Sequence, residues 1–218
     1  MKRLDCAKRR LNGLLGVGAR AALASAMFSD VLAALERSVE LDAILVVSGE
    51  PTLHDLALGG RTTLLPDLIE RGQSPAALAG LARATELGSE RAFLVPGDCP
   101  LIEPSEIDEL LRDPRLDAVD VAIVPDRHRT GTNALLLDPQ SEFEPRFGPD
   151  SLSLHVEEAE DLGLRHTVEP LSSLELDVDT SDDLGELITV LEREPERAPH
   201  TQAVLRQIER TKPLPAHA

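Results

Sequence analysis

Aromatic side chains make up only 2% of this 218-residue chain, and there is no Trp or Tyr. Stacking platforms for single-stranded nucleic acid are therefore missing. The formal net charge of −17 argues against a nucleic-acid partner by a second route, because phosphate backbones attract basic surfaces. Cysteine is scarce. Cys6 and Cys99 form neither a CxxC pair nor a zinc pattern, and both are expected to be free thiols. No apolar run approaches the length expected of a bilayer span. The basic N-terminus lacks the apolar core and small-residue cleavage site of a signal peptide. The expectation is a cytoplasmic protein with neither membrane nor nucleic acid as partner. No Walker A sequence, G-x-S-x-G elbow or H-E-x-x-H is present, and the six histidines lie far apart.

What is present is an alternation of apolar runs and amphipathic segments. Ala19 to Arg37 carries Leu23, Met27, Val31 and Leu35 at helical spacing. "AILVVS" (Ala43 to Ser48) reads as a buried strand, and "TTLLPD" (Thr62 to Asp67) as a weaker one. A helix is predicted over Pro75 to Leu87, with Ser74 as its cap. "AFLVPGD" (Ala92 to Asp98), "DVAIVPD" (Asp120 to Asp126) and "TNALLLD" (Thr132 to Asp138) read as strands. Further helices are predicted over Pro104 to Arg112, Ser151 to Leu162 and Ser181 to Glu192, the last capped by Thr180. Such an order predicts a single α/β domain over residues 1–194, with a mixed, mainly parallel sheet flanked by helices. Residues 195–218 read as a tail with at most one more helix.

"GVGARA" (Gly16 to Ala21) fits a dinucleotide fingerprint, but no strand precedes it, so it reads as a loop feeding a helix. The acidic clusters are more informative. Asp98 ends an apolar run at the carboxyl edge of a sheet, where functional groups gather in such folds. In "LELDVDTSDDL" (Leu174 to Leu184), Asp177 and Asp179 are two apart and share a face of an extended segment. Carboxylates from separate segments suit a hard cation such as Mg²⁺. "RFGPDS" places Gly148 in a turn and Ser151 at a helix start, a natural place for a phosphate. Lys2, Arg3, Lys8, Arg9 and Arg10 crowd the first ten positions and offer a local anion site. Together these features suggest phosphate chemistry on a nucleotide.

"KRLDCAKRRL", "PGDCPL", "DRHRTGTNALLL", "RFGPDS" and "DVDTSDDL" stand in the order and spacing of a known family. The chain resembles the 2-phospho-L-lactate/phosphoenolpyruvate guanylyltransferases of coenzyme F-420 biosynthesis, over about Lys2 to Leu191. The resemblance implies a nucleotide-diphospho-sugar transferase-like, Rossmann-like fold. It implies GTP as co-substrate with Mg²⁺, and transfer of GMP to phosphoenolpyruvate, with 2-phospho-L-lactate as the alternative acceptor. By position, Asp98 and Asp177 look like metal carboxylates, with Asp179 nearby. Lys2 and Lys8 look like the lysines that steady the triphosphate. Thr132, Gly148 and Ser151 look like the groups that hold the acceptor phosphate. The segment around Gly72 and Ser74 is similar to the base-recognition loop. Two departures stand out. Arg129 occupies a position where the family usually has Gly. The family's first strand, which precedes the position of Lys2, is absent from the sequence, so the true start is expected upstream of Met1. A degenerate, non-catalytic nucleotide-binding protein is the reading from another class. A glycine-rich N-terminal loop of the sugar-phosphate type is not found.

Overall fold

The computed structural model describes residues 8–54, 60–67, 69 and 71–211. Lys2 and Cys6 lie outside them. The strands are β1 (Ile44–Ser48), β2 (Thr62–Pro66), β3 (Ala92–Leu94), β4 (Val121–Pro125), β5 (Thr132–Leu137) and β6 (His166–Val168). The α-helices are α1 (Val17–Arg37), α2 (Gln73–Glu86), α3 (Pro104–Arg112), α4 (Ser151–Asp161), α5 (Ser181–Arg193) and α6 (Pro199–Thr211).

The α/β class is as expected, with helices flanking mixed sheets. The pairing is less parallel than expected. β1–β2 and β4–β6 are parallel, whereas β3–β5 and β4–β5 are antiparallel. The reason is local: the short turn after β4 sends the chain straight back as β5, and a tight return can only make an antiparallel pair. β6 was not expected. His166 to Val168 is three residues long and half-buried, too short to leave a period in the sequence. β3 ends at Leu94, not at Asp98. Pro96 has no amide hydrogen for a ladder, and the chain leaves the sheet before the carboxylate. The second helix starts at Gln73 with Gly72 as its cap, so Ser74 and Pro75 lie inside its first turn.

α1 buries the face read from the sequence: Leu23 and Met27 are fully buried and Val31 nearly so. By length and composition alone α1 could cross a membrane, which corrects the expectation that no segment approaches that length. Here it is a core helix. Leu23 and Met27 share a cluster with Leu176, Val178, Leu205 and Ile208. α6 is therefore packed into the core, and Asp30 of α1 receives the His200 and Thr201 amides at 3.0 and 2.7 Å.

The strands form two sheets, β1–β2 and β3–β5–β4–β6, that are not hydrogen-bonded to each other among the described residues. Between β1 and β3 lies a cavity of about 1400 Å³, walled by β1, by Phe93 to Gly97, by Val31 and Leu35 of α1 and by Gly80 of α2. Its floor continues to Asp98, Thr132, Ser151 and Asp177. An extended apolar segment there would meet the edges of β1 and β3 that are unpaired among the described residues. Fusing an apolar strand ahead of Met1 is expected to raise the melting temperature by about 10 °C, as for a few kcal/mol of added burial in a chain of this size. Circular dichroism on both chains reads this directly. An unchanged melting temperature would leave the cavity without a strand occupant.

Candidate active site

The cavity floor has a carboxylate end and a hydroxyl end. The carboxylate end is built by one main-chain bond and one lysine. Val178 donates its amide to the Asp98 carbonyl at 3.1 Å, which ties the turn after β3 to the segment before α5. Leu176 and Val178 point into the core, while Asp177 and Asp179 alternate with them and face the cavity. Asp98 is held by its neighbours: Cys99, Leu101 and Ile102 are all buried, and the Ile102 amide closes a turn on the Cys99 carbonyl at 3.2 Å. Burial, reinforced by the nearby Asp98 and Asp177 carboxylates, pushes the Cys99 thiol well up, so it stays protonated.

Lys8 spans the cluster. Its Nζ donates to Asp98 at 2.5 Å and to Asp179 at 2.9 Å, and its side chain is only 5% exposed. Burial alone would lower its pKa, but the charges of Asp98 and Asp179 outweigh burial and raise it. The ammonium is therefore a fixed positive charge. Lys8 sits in the left-handed region at φ 52°, an uncommon place for a residue with a side chain. Leu11 and Leu15 anchor the turn that follows in the same core cluster as Leu176 and Val178. Asp177 has a raised pKa, first from burial and then from the charges of Asp98 and Asp179. Three carboxylates thus share one ammonium in this floor. As they stand, no three His, Cys, Asp or Glu side chains among the described residues are gathered tightly enough to hold a metal ion.

α5 holds Asp179 from behind. Thr180 and Asp183 form a reciprocal capping box, and Asp183 also accepts the Asp179 amide at 3.0 Å. Arg127 pairs with Asp183 at 2.5 Å and donates its own amide to the Glu175 carbonyl at 3.0 Å. Burial would raise the Asp183 carboxyl, but hydrogen bonds from Thr180 and the Asp179 amide, with the Arg127 charge, hold it below the usual range.

The hydroxyl end comes from β5 and α4. The Thr132 amide donates to Ser151 Oγ at 2.8 Å. Gly148, at φ 133°, makes a turn that residues with side chains rarely adopt. The first turn of α4 is less free than expected for an anion site. The Ser151 amide bonds to the Gly148 carbonyl at 3.2 Å, and the Leu152 amide to the Thr130 carbonyl at 3.1 Å. Hydroxyls, not helix-end amides, are what this end offers a ligand. Arg129 also lies in the left-handed region, at φ 54°, which glycine occupies without strain. Gly72 borders the cavity, whereas the Ser74 hydroxyl accepts the Phe147 amide at 2.9 Å and so ties α2 to the Gly148 turn.

Comparison with known proteins identifies the family. A family model described as "Guanylyl transferase CofC like" matches residues 1–209. The chain belongs to this guanylyl transferase family. A relative from Conexibacter woesei named phosphoenolpyruvate guanylyltransferase is 42% identical over 213 residues, covering 98% of this chain and 96% of its own. A relative from Methanothermobacter thermautotrophicus named 2-phospho-L-lactate guanylyltransferase is 35% identical over 191 residues, covering 86% and 81%. Among solved structures, one from Desulfovibrio desulfuricans G20 assigned to the nucleotide-diphospho-sugar transferases superposes with a TM-score of 0.74. It is 21% identical and covers 96% of this chain and 93% of that one. That likeness shows the fold expected of the family.

Every described residue of the expected site except Ser74 therefore lines one cavity. Sequence reasoning gave no role to Asn133. Its amide donates to the Leu174 carbonyl at 2.7 Å and lies 3.5 Å from the Asp177 carboxylate, so it links the two ends of the floor. It also passed over His155, fully buried between the Phe143 and Phe147 rings. A usable signal existed: His155 is four residues after Ser151, on the same helix face.

Two outcomes follow from these charges. Replacing Lys8 by Met removes the ammonium between Asp98 and Asp179, leaves Asp179 only its longer pair with Arg10, and is expected to cost about 2 kcal/mol of unfolding free energy at pH 7. The loss should shrink at pH 5, because the raised pKa of Asp177 makes its charge fall earlier on acidification; urea titrations at both pH values measure it. Burial first, and then the Arg146 charge, push His155 down to about 4, so the unfolded chain binds a proton that the folded one refuses. This group favours the native state fully above about pH 6.5 and loses that contribution as pH falls toward 4, by roughly 2 kcal/mol at pH 5. The same titrations should show a smaller acid-side loss in His155→Gln.

Proposed function

We propose that this chain transfers GMP from GTP to phosphoenolpyruvate, releasing pyrophosphate, as a cytoplasmic step of coenzyme F-420 biosynthesis. The observation that carries the reading is the single cavity floor with acidic groups and Lys8 at one end and the Thr132 and Ser151 hydroxyls at the other. Such a floor offers a cation-bound triphosphate and an anionic acceptor adjacent places. The names of the relatives supply the two substrates. 2-phospho-L-lactate is the second acceptor, favoured by the name of the Methanothermobacter relative.

An acceptor phosphate oxygen forms a bond to the α-phosphorus of GTP as the bond from that phosphorus to the α–β bridging oxygen breaks. The electron pair leaves with pyrophosphate. The nucleophile is already an anion, so no general base is required. The main obstacle is the approach of two polyanions. Asp98, Asp177 and Asp179 have the ligand chemistry for Mg²⁺; burial first and then the neighbouring carboxylates raise Asp177, and a divalent cation would relieve the second of these. When bound, the ion would neutralise charge on the triphosphate and on the departing pyrophosphate. Lys8 is the residue to follow the triphosphate, and Lys2, outside the described residues, is assigned the same work. Thr132, Ser151 and the Gly148 turn hold the acceptor phosphate. Gly72 borders the base, with Ser74 bracing the Gly148 turn.

The test is pyrophosphate release from GTP and Mg²⁺ with each acceptor in parallel. Turnover that favours phosphoenolpyruvate is expected. GTP binding without turnover would give the site to a degenerate binding protein instead. Asp98→Asn should keep the fold and lower kcat on the order of 100-fold. Ser151→Ala should raise the acceptor KM roughly tenfold and leave the GTP KM in place, as for one lost hydrogen bond to a charged group. Unchanged values in either variant would remove that residue from the site.

A further inference from the structure

His155 is connected to the floor in a way that fixes the direction of its hydrogen bonds. The Arg146 amide lies 2.8 Å from His155 Nε2. A backbone amide can only donate, so Nε2 is the unprotonated nitrogen. The ring proton is therefore on Nδ1, which lies 2.8 Å from Thr132 Oγ1 and donates to it. Thr132 Oγ1 is thus already an acceptor, and its own hydrogen must point elsewhere. Ser151 Oγ is in the same position, because it accepts the Thr132 amide. Among the described residues no group accepts the hydrogen of either hydroxyl. Both Thr132 and Ser151 line the cavity. Each hydroxyl thus has one lone pair engaged from behind and a hydrogen that can be donated into the cavity. That polarity suits an oxyanion, which accepts and cannot donate.

We propose that His155 is a positioning residue that sets acceptor affinity by holding the Thr132 hydroxyl as a donor to the acceptor anion. The inference rests on the reading of Thr132 and Ser151 as the acceptor pocket. Its surroundings keep the ring in this role. Phe143 and Phe147 pack on it with centroids at 5.7 and 5.2 Å, the second edge-on. Arg146, which supplies the amide, is itself paired through its side chain with Glu158, one turn along α4. The ring touches neither the nucleotide end nor the carboxylates, so its effect should fall on one substrate alone.

Three measurements test it. Imidazole ¹⁵N NMR of the unmodified protein at pH 7 should show His155 with Nδ1 protonated and Nε2 bare. The opposite tautomer overturns the proposal whether or not any variant folds. His155→Gln can still accept the Arg146 amide but has no donor for Thr132, whereas His155→Asn keeps the donor and loses the acceptor. His155→Gln should raise the KM for phosphoenolpyruvate about tenfold with the GTP KM unchanged, and His155→Asn should stay within about threefold of the parent. A phosphoenolpyruvate KM that His155→Gln leaves unchanged, or equal shifts for both substrates in both variants, would reduce His155 to packing. The third measurement separates this proposal from the reading beneath it. Thr132→Val should raise the phosphoenolpyruvate KM, and His155→Gln should add nothing in that background. An additive effect would leave the pocket standing and remove His155 from it. No effect of Thr132→Val would sink both.

Discussion

The hydrogen bond from the Val178 amide to the Asp98 carbonyl is the constraint on which the site depends. It joins a turn at one sheet to a segment eighty residues later, and it brings Asp177 and Asp179 beside Asp98 by register alone. Because Leu176 and Val178 are pinned in the core, the two aspartates between and after them have no choice of face. Three carboxylates forced together repel one another. Lys8 relieves that repulsion from a backbone conformation that costs energy by itself, which its two ion pairs and the buried Leu11 sustain.

The second half of the floor is organised by different physics. No net charge holds Thr132, Ser151 and His155 together. The bonds to Ser151 and to His155 Nε2 begin at backbone amides and so have only one possible direction, and the second fixes the direction of the bond from His155 to Thr132. The carboxylate end is thus an electrostatic device, tolerant of small displacements, and the hydroxyl end a geometric one. Asn133, next in sequence to Thr132, spans the two. Alternation along β5 puts neighbouring side chains to opposite work.

Much of this was legible in the sequence. The i, i+4 stripe of Leu23, Met27 and Val31 located α1, the apolar run at Val121 to Pro125 located β4, and Thr180 located the start of α5. The period-two spacing of Asp177 and Asp179 placed both on one face. What the sequence hid depended on partners far along the chain. Nothing near Lys8 says that its ammonium will lie between residues 98 and 179. His155 looked like an isolated histidine because its partners, Thr132 and the Arg146 amide, carry no titratable signature. β6 pairs with β4 alone among the described residues, and three residues of it leave no pattern. The split into two sheets was not legible, because pairing between distant strands leaves no local pattern.

One further property follows from the seam between α1 and α6. Asp30 receives the first amides of α6, and Leu205 and Ile208 complete the cluster that also contains Leu11, Leu176 and Val178. During synthesis the chain emerges from its N-terminal end, so the segment that anchors Lys8 is available long before its supporting helix. The acidic floor therefore gains its full support only once residues 199–211 have been made and have packed on α1. A chain with α6 undocked can pair its sheets while the segment carrying Asp177 and Asp179 lacks part of the core that sets its register. In this molecule, a helix far along the chain helps to set the register of a reactive centre that begins at Lys8.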